Sequence, residues 1–576
     1  MTDGPPVHML YQKYVENEPG SDYATRLWGR IPHNMDECHG YFSEIRKRYG
    51  ASPAELEELK KAVKNQMRRL GILSSKVSRT IDLMDRGAVE TGQQPNCLGG
   101  PSFIFNKMTY VSVLAGLKGE YVPLYYVGDY DSVQAELVNI HIPSPSAKGM
   151  LITYPAPPEY EGAPIRRLPN PDEEWFMKTL EKIESNYRGL LKNVESPKQE
   201  RVIQNLSHVF TIIKGAYYST ENVADFSTKI LGTIMNLEAD MGIPMLMATD
   251  PEIRGFFKHG YEVLLTEPNR SSFLRNSNDA VDFIESLGYK AQIGKRSEDY
   301  VPFFLECQTP NCHGSRVELK YKTGLGSTAS IEGKCPRCEQ TYSYSFSAMR
   351  PDIDEIKKIV TPRVESRQVI VDSVIPIVAH VGGPGETSYY AEVIPGVSRL
   401  NIPFPAYTRY ARVFYNTPWN EVVGRSISSN EYKTLYSREL FDTLAGWVEA
   451  KKTNNTGGIS QAHGDIRKAI DKIYTTLIKV KADAESEIDS IKLRLGEPST
   501  RAALMQEMKA KQVILQKLDT YLSNAFGHFS PEKYGQEVSW AWIDLALASG
   551  VGENVEIYKR LYGGWTPNST VFYVNL

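Results

Sequence analysis

Four cysteines near the middle of the sequence have the spacing of metal ligands. Cys307 and Cys312 are separated by four residues, and Cys335 and Cys338 form a tight C-P-R-C knuckle. Two such pairs can place four thiolates at the corners of a tetrahedron, which is the geometry of structural Zn²⁺ sites. Four thiolates leave no position for water, so we expect a structural rather than a catalytic Zn²⁺. His313 is an alternative ligand in place of Cys312, or else a solvated loop residue.

Three predicted strands end in loops that combine glycine with Gln, Asp or Glu. Each strand is an apolar run, and the order strand, loop, helix repeats along the chain, as is typical of a parallel sheet with crossover helices. In such sheets ligands bind outside the carboxyl ends of the strands, so we expect the loops to meet at one polar crevice. The loops are TGQQ at 91–94, GDYD at 128–131 and GGPGE at 382–386.

The side chains of this crevice suggest how it would hold a ligand. Gln93 and Gln94 would orient a polar acceptor, and the pair Asp129 and Asp131 would bind an ammonium group, hydroxyls or a metal. Arg367, in the segment ESRQVIVDSV, is a candidate for binding an anion. We find no nucleophile with an obvious base partner, so the sequence does not identify the electrophile.

Simpler interpretations of the same residues stay open. The glycines of these loops could only make tight turns. Asp129 could cap a helix and Asp131 could face water, which is the commoner fate of loop aspartates. Lys107 could hold a carboxylate or phosphate in the crevice, or form an ordinary surface charge pair with Glu386.

Composition limits the class of protein. The 576 residues include 66 Lys and Arg against 69 Asp and Glu, so the net charge of -3 gives no general reason to bind nucleic acid or an anionic membrane. No run of about 18 apolar residues occurs, and the first residues lack a basic segment followed by an apolar one. Six cysteines in so long a chain do not form a disulfide framework. We therefore expect a soluble, cytoplasmic protein with several substructures.

The sequence after residue 455 predicts two long helices. Apolar residues recur there at alternating spacings of four and three, and the segment GEPST supplies a glycine stop, a proline and a cap between the two series. We expect an antiparallel coiled-coil hairpin, whose seam either packs only on itself or also forms a homo-oligomer. The seam residues are Ile466, Ile470, Ile473, Leu477 and Val480 in the first helix, and Leu504, Met508, Leu515, Leu518 and Leu522 in the second.

Three segments resemble a known family, the bacillithiol biosynthesis cysteine-adding enzymes. They are TGQQPNCLGGPSFIFNK at 91–107, YYVGDYDSVQAE at 125–136 and VIPIVAHVGGPGETSYYAEVIP at 374–395, and weaker similarity follows in the family's order through most of the chain. The resemblance implies an α/β, Rossmann-like parallel-sheet core similar to class I aminoacyl-tRNA synthetases, with a helical insertion and a coiled-coil hairpin. It also implies a ligase that joins cysteine to a glucosaminyl malate acceptor. ATP or ADP enters only as an inference from this fold.

The resemblance also implies functional residues, position by position. The catalytic positions are Asp129, Tyr130 and Asp131, where the family has an Asp-His-Asp signature, so a tyrosine stands here in place of the histidine. Gly128 replaces the acidic residue that normally precedes the signature, and the zinc ribbon is inserted where the bacterial enzymes are expected to have a short hairpin. The substrate-binding positions are Thr91, Gly92, Gln93, Gln94, Gly100, Lys107, Arg367, Gly382, Gly383, Pro384, Gly385 and Glu386, and Pro101 also matches the family's first loop.

The predicted organisation combines the pattern and the resemblance. Residues 1–155 are the N-terminal part of the Rossmann-like core, 156–242 the helical connecting insertion, 243–302 and 347–455 continuations of the core, 303–346 the zinc ribbon, 456–530 the coiled-coil hairpin and 531–576 a C-terminal segment.

Two functions compete. The first is a divergent homologue of the cysteine-adding ligase, which binds an amino acid, sugar or nucleotide in the crevice. The second is a catalytically altered scaffold that assembles into a homo-oligomer through the coiled coil, an alternative that Tyr130 favours because an ordinary tyrosine stays protonated near neutral pH. A weaker third idea is nucleic-acid binding by basic residues of the ribbon, which the balanced overall charge makes unlikely. Those residues are Arg316, Lys320, Lys322, Lys334 and Arg337.

Overall fold

A five-stranded sheet of parallel strands lies at the centre of the protein. The computed structural model describes residues 4–50, 52–145, 149–400, 402–427, 438–453, 455–494, 501–526, 535–563 and 571–576. The strands of all its sheets together are β1 (Ala88–Gln93), β2 (Val122–Val127), β3 (Asn139–Ile142), β4 (Met150–Thr153), β5 (Met245–Met247), β6 (Tyr300–Glu306), β7 (Arg316–Thr323), β8 (Thr328–Lys334), β9 (Thr341–Ser347), β10 (Val360–Pro362), β11 (Ile377–Gly382), β12 (Ala406–Arg409), β13 (Arg412–Asn416) and β14 (Val571–Asn575).

Helices make up much of the rest of the described chain. They are α1 (His8–Val15), α2 (Ala24–Trp28), α3 (Met35–Arg48), α4 (Ala54–Arg69), α5 (Ser75–Asp82), α6 (Phe103–Gly116), α7 (Ala135–Val138), α8 (Glu173–Leu190), α9 (Ser196–Tyr217), α10 (Val223–Gly232), α11 (Lys258–Leu265), α12 (Asn269–Ser286), α13 (Arg367–Asp372), α14 (Pro384–Val397), α15 (Pro418–Ile427), α16 (Arg438–Lys452), α17 (Thr456–Arg494), α18 (Arg501–Phe526), α19 (Gln536–Ser539), α20 (Trp542–Ser549) and α21 (Val551–Leu561).

The order of strands in the central sheet is β12, β11, β1, β2 and β5, and every neighbouring pair is parallel. β1 and β11 are buried along almost their whole length, as expected for central strands covered by helices on both faces. The α/β, Rossmann-like fold that the sequence predicts is therefore confirmed.

Two helices follow the strands that carry predicted site residues. α6 comes after β1 and is buried around most of its circumference. α14 comes directly after β11, with Pro384 at its first position, where the missing N–H costs no hydrogen bond. The N-terminal helix α2 packs on α14, and Trp28 donates a hydrogen bond to the carbonyl of Thr387 at 3.0 Å. These contacts fix the first turn of α14 relative to the sheet.

The helical region after the second strand comprises α8, α9 and α10, all within the predicted insertion at 156–242. α8 begins at a polar cap, because Asp172 accepts a hydrogen bond from the backbone of Trp175 at 2.8 Å. The limits of this and the other predicted domains stay predictions.

A second sheet contains the predicted ribbon. Its strands are antiparallel in the order β10, β6, β7, β8 and β9. The sheet starts at Tyr300 and is completed by β10 near residue 360, so it extends on both sides of the predicted ribbon at 303–346.

Two long helices occupy the region of the predicted hairpin. α17 and α18 have 39 and 26 residues and contact each other. Most of the predicted seam side chains and the GEPST turn lie outside the described residues, so the coiled coil stays a prediction. Among the described helices, none is long and apolar enough to span a bilayer. The final apolar run forms β14, which pairs in parallel with β13.

Candidate functional site

The carboxyl ends of β1, β2 and β11 open onto one cavity of about 1090 Å³. Because these strands are parallel neighbours, their ends lie at the same edge of the sheet. Gln94 follows β1, Asp131 follows β2 and Glu386 lies in the first turn of α14, and all three are in the cavity wall. The structure thus brings together the three loops that the sequence places at strand ends.

The predicted residues divide into two groups. Those that line the cavity are Gly92, Gln93, Gln94, Tyr130, Asp131, Arg367, Gly383, Pro384, Gly385 and Glu386. Those outside this lining are Thr91, Gly100, Lys107, Asp129 and Gly382.

Several members of the second group shape the backbone. Thr91 donates its hydroxyl hydrogen to the carbonyl of Val381 at 2.8 Å, which ties β1 to β11. A Cβ atom at Gly382 would lie 2.1 Å from the hydroxyl of Tyr407, so only glycine fits there. Gly100 has a φ of +80°, a conformation that side chains disfavour. The sequence signal at these positions reflects packing beside the cavity.

Lys107 and Glu386 form an ion pair in which the glutamate lies in the cavity wall and the lysine is buried behind it. The lysine side chain is 1% exposed, and its ammonium donates to Glu386 Oε2 at 2.7 Å and to the carbonyl of Gly92 at 2.9 Å. Burial alone would raise the pKa of Glu386, but Lys107 and His380 outweigh it and hold that pKa at about 2. Burial lowers the pKa of Lys107, although Glu386 opposes this. The pair is therefore neither on the surface nor available to a ligand through the lysine.

Arg367 belongs to a second buried network at the floor of the cavity. It donates to Glu90 Oε1 at 2.8 Å and to the hydroxyl of Tyr390 at 2.8 Å, while His380 lies 3.4 Å from Glu90. Burial works to raise the pKa of Glu90, but Arg367 and His380 outweigh it, and the pKa is lowered. The guanidinium also lies 5.2 Å from the ring centroid of Tyr126. Arg367 therefore faces the cavity with its charge already balanced by a carboxylate.

The two aspartates of the GDYD loop have different surroundings. Asp129 is fully buried, and its carboxylate accepts hydrogen bonds from the Thr249 backbone at 2.9 Å and hydroxyl at 2.8 Å. Arg166 lies 3.6 Å away. Burial raises the pKa of Asp129 to about 6, against the influence of Arg166 and Thr249. Asp129 joins the β2 loop to the β5 loop.

Asp131, in contrast, faces the cavity. Its side chain is 25% exposed and lies 3.4 Å from Arg316 of β7. Burial raises the pKa of Asp131, although Arg316 and then Gln94 oppose the shift. Tyr130 lies beside it in the same wall, and burial raises the pKa of its phenol above the ordinary value. This part of the wall therefore offers a partly exposed carboxylate and a phenol close to the amides of Gln93 and Gln94.

Sequence reasoning missed Glu90, His380 and Arg316 as parts of the site. Glu90 and His380 are ionisable residues that directly follow apolar residues inside predicted buried strands, and this contrast was a usable signal. Arg316 was considered only as a basic residue of the ribbon, because nothing in the sequence shows that β7 approaches the GDYD loop.

The four predicted metal ligands form one cluster. The sulfur atoms of Cys307, Cys312, Cys335 and Cys338 all lie within 4.8 Å of one another. His313 is not part of it, and its ring packs 4.4 Å from that of Tyr160. The cluster can hold a metal ion, as the spacing predicts.

Comparison with known proteins agrees with this architecture. A family model described as the N-terminal Rossmann-like domain of bacillithiol biosynthesis BshC matches residues 7–409. A protein of Desulforamulus reducens is 25% identical over 398 residues, which cover 66% of this chain and 65% of that protein. A protein of Carboxydothermus hydrogenoformans is 25% identical over 328 residues, which cover 55% of this chain and 54% of that protein.

A longer match occurs with a protein of Cytophaga hutchinsonii, which is 20% identical over 530 residues, or 83% of this chain and 90% of that protein. All three relatives are provisionally named cysteine ligase BshC. The chain spans less than two thirds of the length of the first two.

Proposed function

The chain belongs to the bacillithiol biosynthesis BshC family, and we propose that it is an amino-acid ligase of the cysteine-adding type whose small polar substrates bind in the cavity at the carboxyl edge of the central sheet. The observation that carries this proposal is the convergence of three strand-end loops on that single cavity. Its volume, about 1090 Å³, is at the upper end of the range for small-molecule sites, so it has room for an amino acid together with an acceptor.

Charge distribution suggests how the amino acid is held. Asp131 is the partly exposed carboxylate of the GDYD loop, and we propose that it binds the ammonium group of cysteine. The amides of Gln93 and Gln94, which are joined by a hydrogen bond of 2.7 Å, lie in the same wall and suit the hydroxyls of a sugar acceptor. Arg367 contributes a positive potential from the floor rather than a free guanidinium, because Glu90 already binds it.

A nucleotide remains part of the proposal. Pro384 and Gly385, in the first turn of the 14-residue helix α14, lie in the cavity wall, and the N-terminus of a helix favours phosphate. The carboxylate of Glu386 accepts a hydrogen bond from the N–H of Gly383 at 2.7 Å. The backbone N–H groups that follow Pro384 in the first turn are then the ones that would bind a ligand. The negative charge of Glu386 is offset by Lys107. ATP bound there would supply the activation that a ligase needs, and ADP would bind at the same place as its product.

The experiment is a ligation assay with a matched pair of variants. Purified protein is incubated with cysteine and a glucosaminyl malate, with and without ATP, and the product is detected by mass spectrometry. Asp131→Asn should weaken cysteine binding about 10- to 100-fold, because it removes a charge-assisted hydrogen bond. Asp483→Asn, on an exposed position of α17, should leave binding unchanged. Equal behaviour of the two variants would count against the proposed role of Asp131.

The second candidate is a scaffold that has lost the chemistry. Tyr130 supports it, since a buried phenol with a raised pKa does not accept a proton near neutral pH. Homo-oligomerisation through the long helices α17 and α18, which contact each other within the chain, is part of this second proposal. Absence of any product and of any thermal stabilisation by cysteine, sugar malates or ATP, together with an oligomer in light scattering, would favour this candidate.

A further inference from the structure

The four cysteine sulfurs have the spacing of a tetrahedral metal site. Cys307 Sγ lies 3.6 Å from Cys338 Sγ, and Cys312 Sγ lies 3.9 Å from Cys335 Sγ. With Zn–S bonds of about 2.3 Å, the edge of a regular tetrahedron of sulfurs is about 3.8 Å. A disulfide needs about 2.05 Å, and all four residues are free thiols in the structure. The distances fit one Zn²⁺ and not two disulfides.

Hydrogen-bond donors also surround the sulfurs. The backbone N–H of Arg337 points to Cys335 Sγ at 3.4 Å, and the hydroxyl of Tyr342 lies 3.3 Å from Cys307 Sγ. Such donors stabilise thiolates, which are the form that binds metal, and they orient the ligands. They form the outer shell expected around a zinc knuckle.

The loop that ends this cluster leads directly to the cavity. Ser315 accepts a hydrogen bond from the backbone of Cys307 at 2.9 Å and donates its own N–H to the carbonyl of Cys312 at 2.9 Å. The next residue, Arg316, starts β7 and reaches the GDYD loop, where it donates to Ser132 Oγ at 3.1 Å and lies 3.4 Å from Asp131. Two ligands of the cluster therefore hold the residue that precedes Arg316.

A second path joins the cluster to the same loop through residues 159–167. Arg337, in the knuckle, donates to the carbonyl of Glu159, and Glu306, which precedes Cys307, lies 3.5 Å from Arg167. Within this segment, the N–H of Ile165 donates to the carbonyl of Asp131 at 2.7 Å. The cluster thus supports the acidic loop from both sides.

From this arrangement we infer that the four thiolates bind one Zn²⁺ and that this ion fixes the position of Arg316. Arg316 in turn is a positioning residue for Asp131. Binding of the metal therefore determines how well ordered the GDYD loop is in the cavity wall. The metal site and the ordering of the loop do not depend on the proposed function. Only the consequence for cysteine binding rests on it.

The experiment measures zinc content and local hydrogen exchange in the full-length protein. Protein purified without chelator should contain about one zinc per chain. Cys338→Ser, at the one exposed ligand, should lower that content strongly. Peptides that cover 129–133 and 163–167 should then exchange about tenfold faster, because the N–H groups of Val133 and Ile165 lose the support of the ribbon.

A second set of variants separates the metal from the arginine. Arg316→Met should retain zinc and still accelerate exchange in the same two peptides, and Arg316→Lys should restore part of the protection. Lys320→Met changes an exposed residue four positions further along β7, on the same face as Arg316, and it should alter neither zinc content nor exchange. Cysteine binding should weaken in Arg316→Met and recover in part in Arg316→Lys.

The outcomes are distinguishable. Absence of zinc from the wild-type protein, or full zinc content in Cys338→Ser, would overturn the metal site. Unchanged exchange at 129–133 and 163–167 in zinc-loaded Arg316→Met would overturn the coupling. If the wild-type protein binds no cysteine, the proposed function fails, and the exchange data still decide the inference.

Discussion

The buried pair of Lys107 and Glu386 gives the sharpest test of the structure. Lys107 Nζ lies 2.7 Å from Glu386 Oε2, and the side chains are 1% exposed for the lysine and 17% exposed for the glutamate. We consider Lys107→Met, which keeps the length of the side chain and removes its charge. The carboxylate of Glu386 would keep its bond to the Gly383 N–H but lose its countercharge.

The expected loss of stability follows from the pKa of Glu386. That pKa lies at about 2 against an ordinary value of 4.5, a difference of about 2.5 units, or about 3 kcal/mol at 1.36 kcal/mol per unit. Since the pKa is depressed in the folded protein, this stabilisation is present above pH 4.5 and is lost as the pH falls towards 2. His380 contributes a part of the shift, so we expect Lys107→Met to lower the free energy of unfolding by about 2 to 3 kcal/mol at pH 7.

The assay is thermal unfolding of a double-mutant cycle at a fixed scan rate. With an unfolding entropy of roughly 2.1 cal/mol/K per residue, a cooperative unit of about 400 residues shifts its midpoint by about 1.2 °C per kcal/mol. Lys107→Met should therefore unfold about 3 °C lower. Glu386→Gln should lose at least as much, because it leaves a buried ammonium without its carboxylate.

The control and the double variant complete this cycle. Lys61→Met removes the same charge from an exposed pair with Glu58, also at 2.7 Å, and should shift the midpoint by about 1 °C or less. The double variant Lys107→Met/Glu386→Gln should lose less than the sum of the single variants. Additive single effects, or a Lys107→Met midpoint equal to that of Lys61→Met, would show that the two groups do not interact in the folded protein.

Three further predictions concern single buried positions. Burial raises the pKa of Asp129 to about 6, so the stability contributed by its protonated form is full below about pH 4 and is lost as the pH rises through 6. In Asp129→Asn the unfolding midpoint should therefore fall less steeply between pH 4 and pH 7 than in the wild-type protein. An unchanged slope of midpoint against pH would contradict this. Burial raises the pKa of Asp544 to about 8, so the stability contributed by its protonated form is lost only as the pH rises through 8. At pH 9, Asp544→Asn should therefore be more stable than the wild-type protein, and a less stable variant would contradict this. Gly382→Ala should lower the unfolding midpoint by several degrees, because the added Cβ would lie 2.1 Å from the Tyr407 hydroxyl. Gly385→Ala is the control, since a Cβ there meets no atom within 4 Å, and it should fold normally. Equal midpoints for the two variants would refute the steric argument.

The sequence was sufficient for the features that depend on regular patterns. Apolar runs that end in glycine and polar residues predicted the parallel sheet and the edge where its loops meet, because parallel strands share one direction. The two cysteine pairs predicted the sulfur cluster, since ligand spacing is set by the coordination geometry of the metal. Both features follow from short-range spacing and from general rules of topology.

The division of labour between Asp129 and Asp131 was not predictable in the same way. The N–H of Asp129 donates to the carbonyl of Val127 at 3.0 Å, which closes a tight turn directly after β2. This turn directs Asp129 to Thr249 of the β5 loop, 120 residues later, and leaves Asp131 at the cavity. Two aspartates separated by a single residue give no indication of such a turn, because the partner that binds Asp129, Thr249, is distant in the sequence.

The same limit applied to Lys107. The sequence left two interpretations open, an anion held in the crevice or a surface charge pair with Glu386; the structure pairs Lys107 with Glu386, 279 residues away, but the lysine is buried. A single lysine in the apolar helix sequence FIFNKMTYVSVLAG does indicate a buried charge with a partner, because an unpaired one would be costly. The sequence cannot show whether that partner is a ligand or another residue of the chain.

Tyr130 and Asp131 are neighbours in the cavity wall, and burial changes the acidity of both. Burial raises the pKa of Tyr130, so its phenol donates a hydrogen bond but does not accept a proton near pH 7. Burial also raises the pKa of the neighbouring Asp131, which brings that carboxyl closer to the range where it exchanges protons efficiently. Arg316, from the ribbon, opposes this rise. The ribbon therefore acts on the acidity of Asp131 through Arg316, whose guanidinium lies 3.4 Å from that carboxylate.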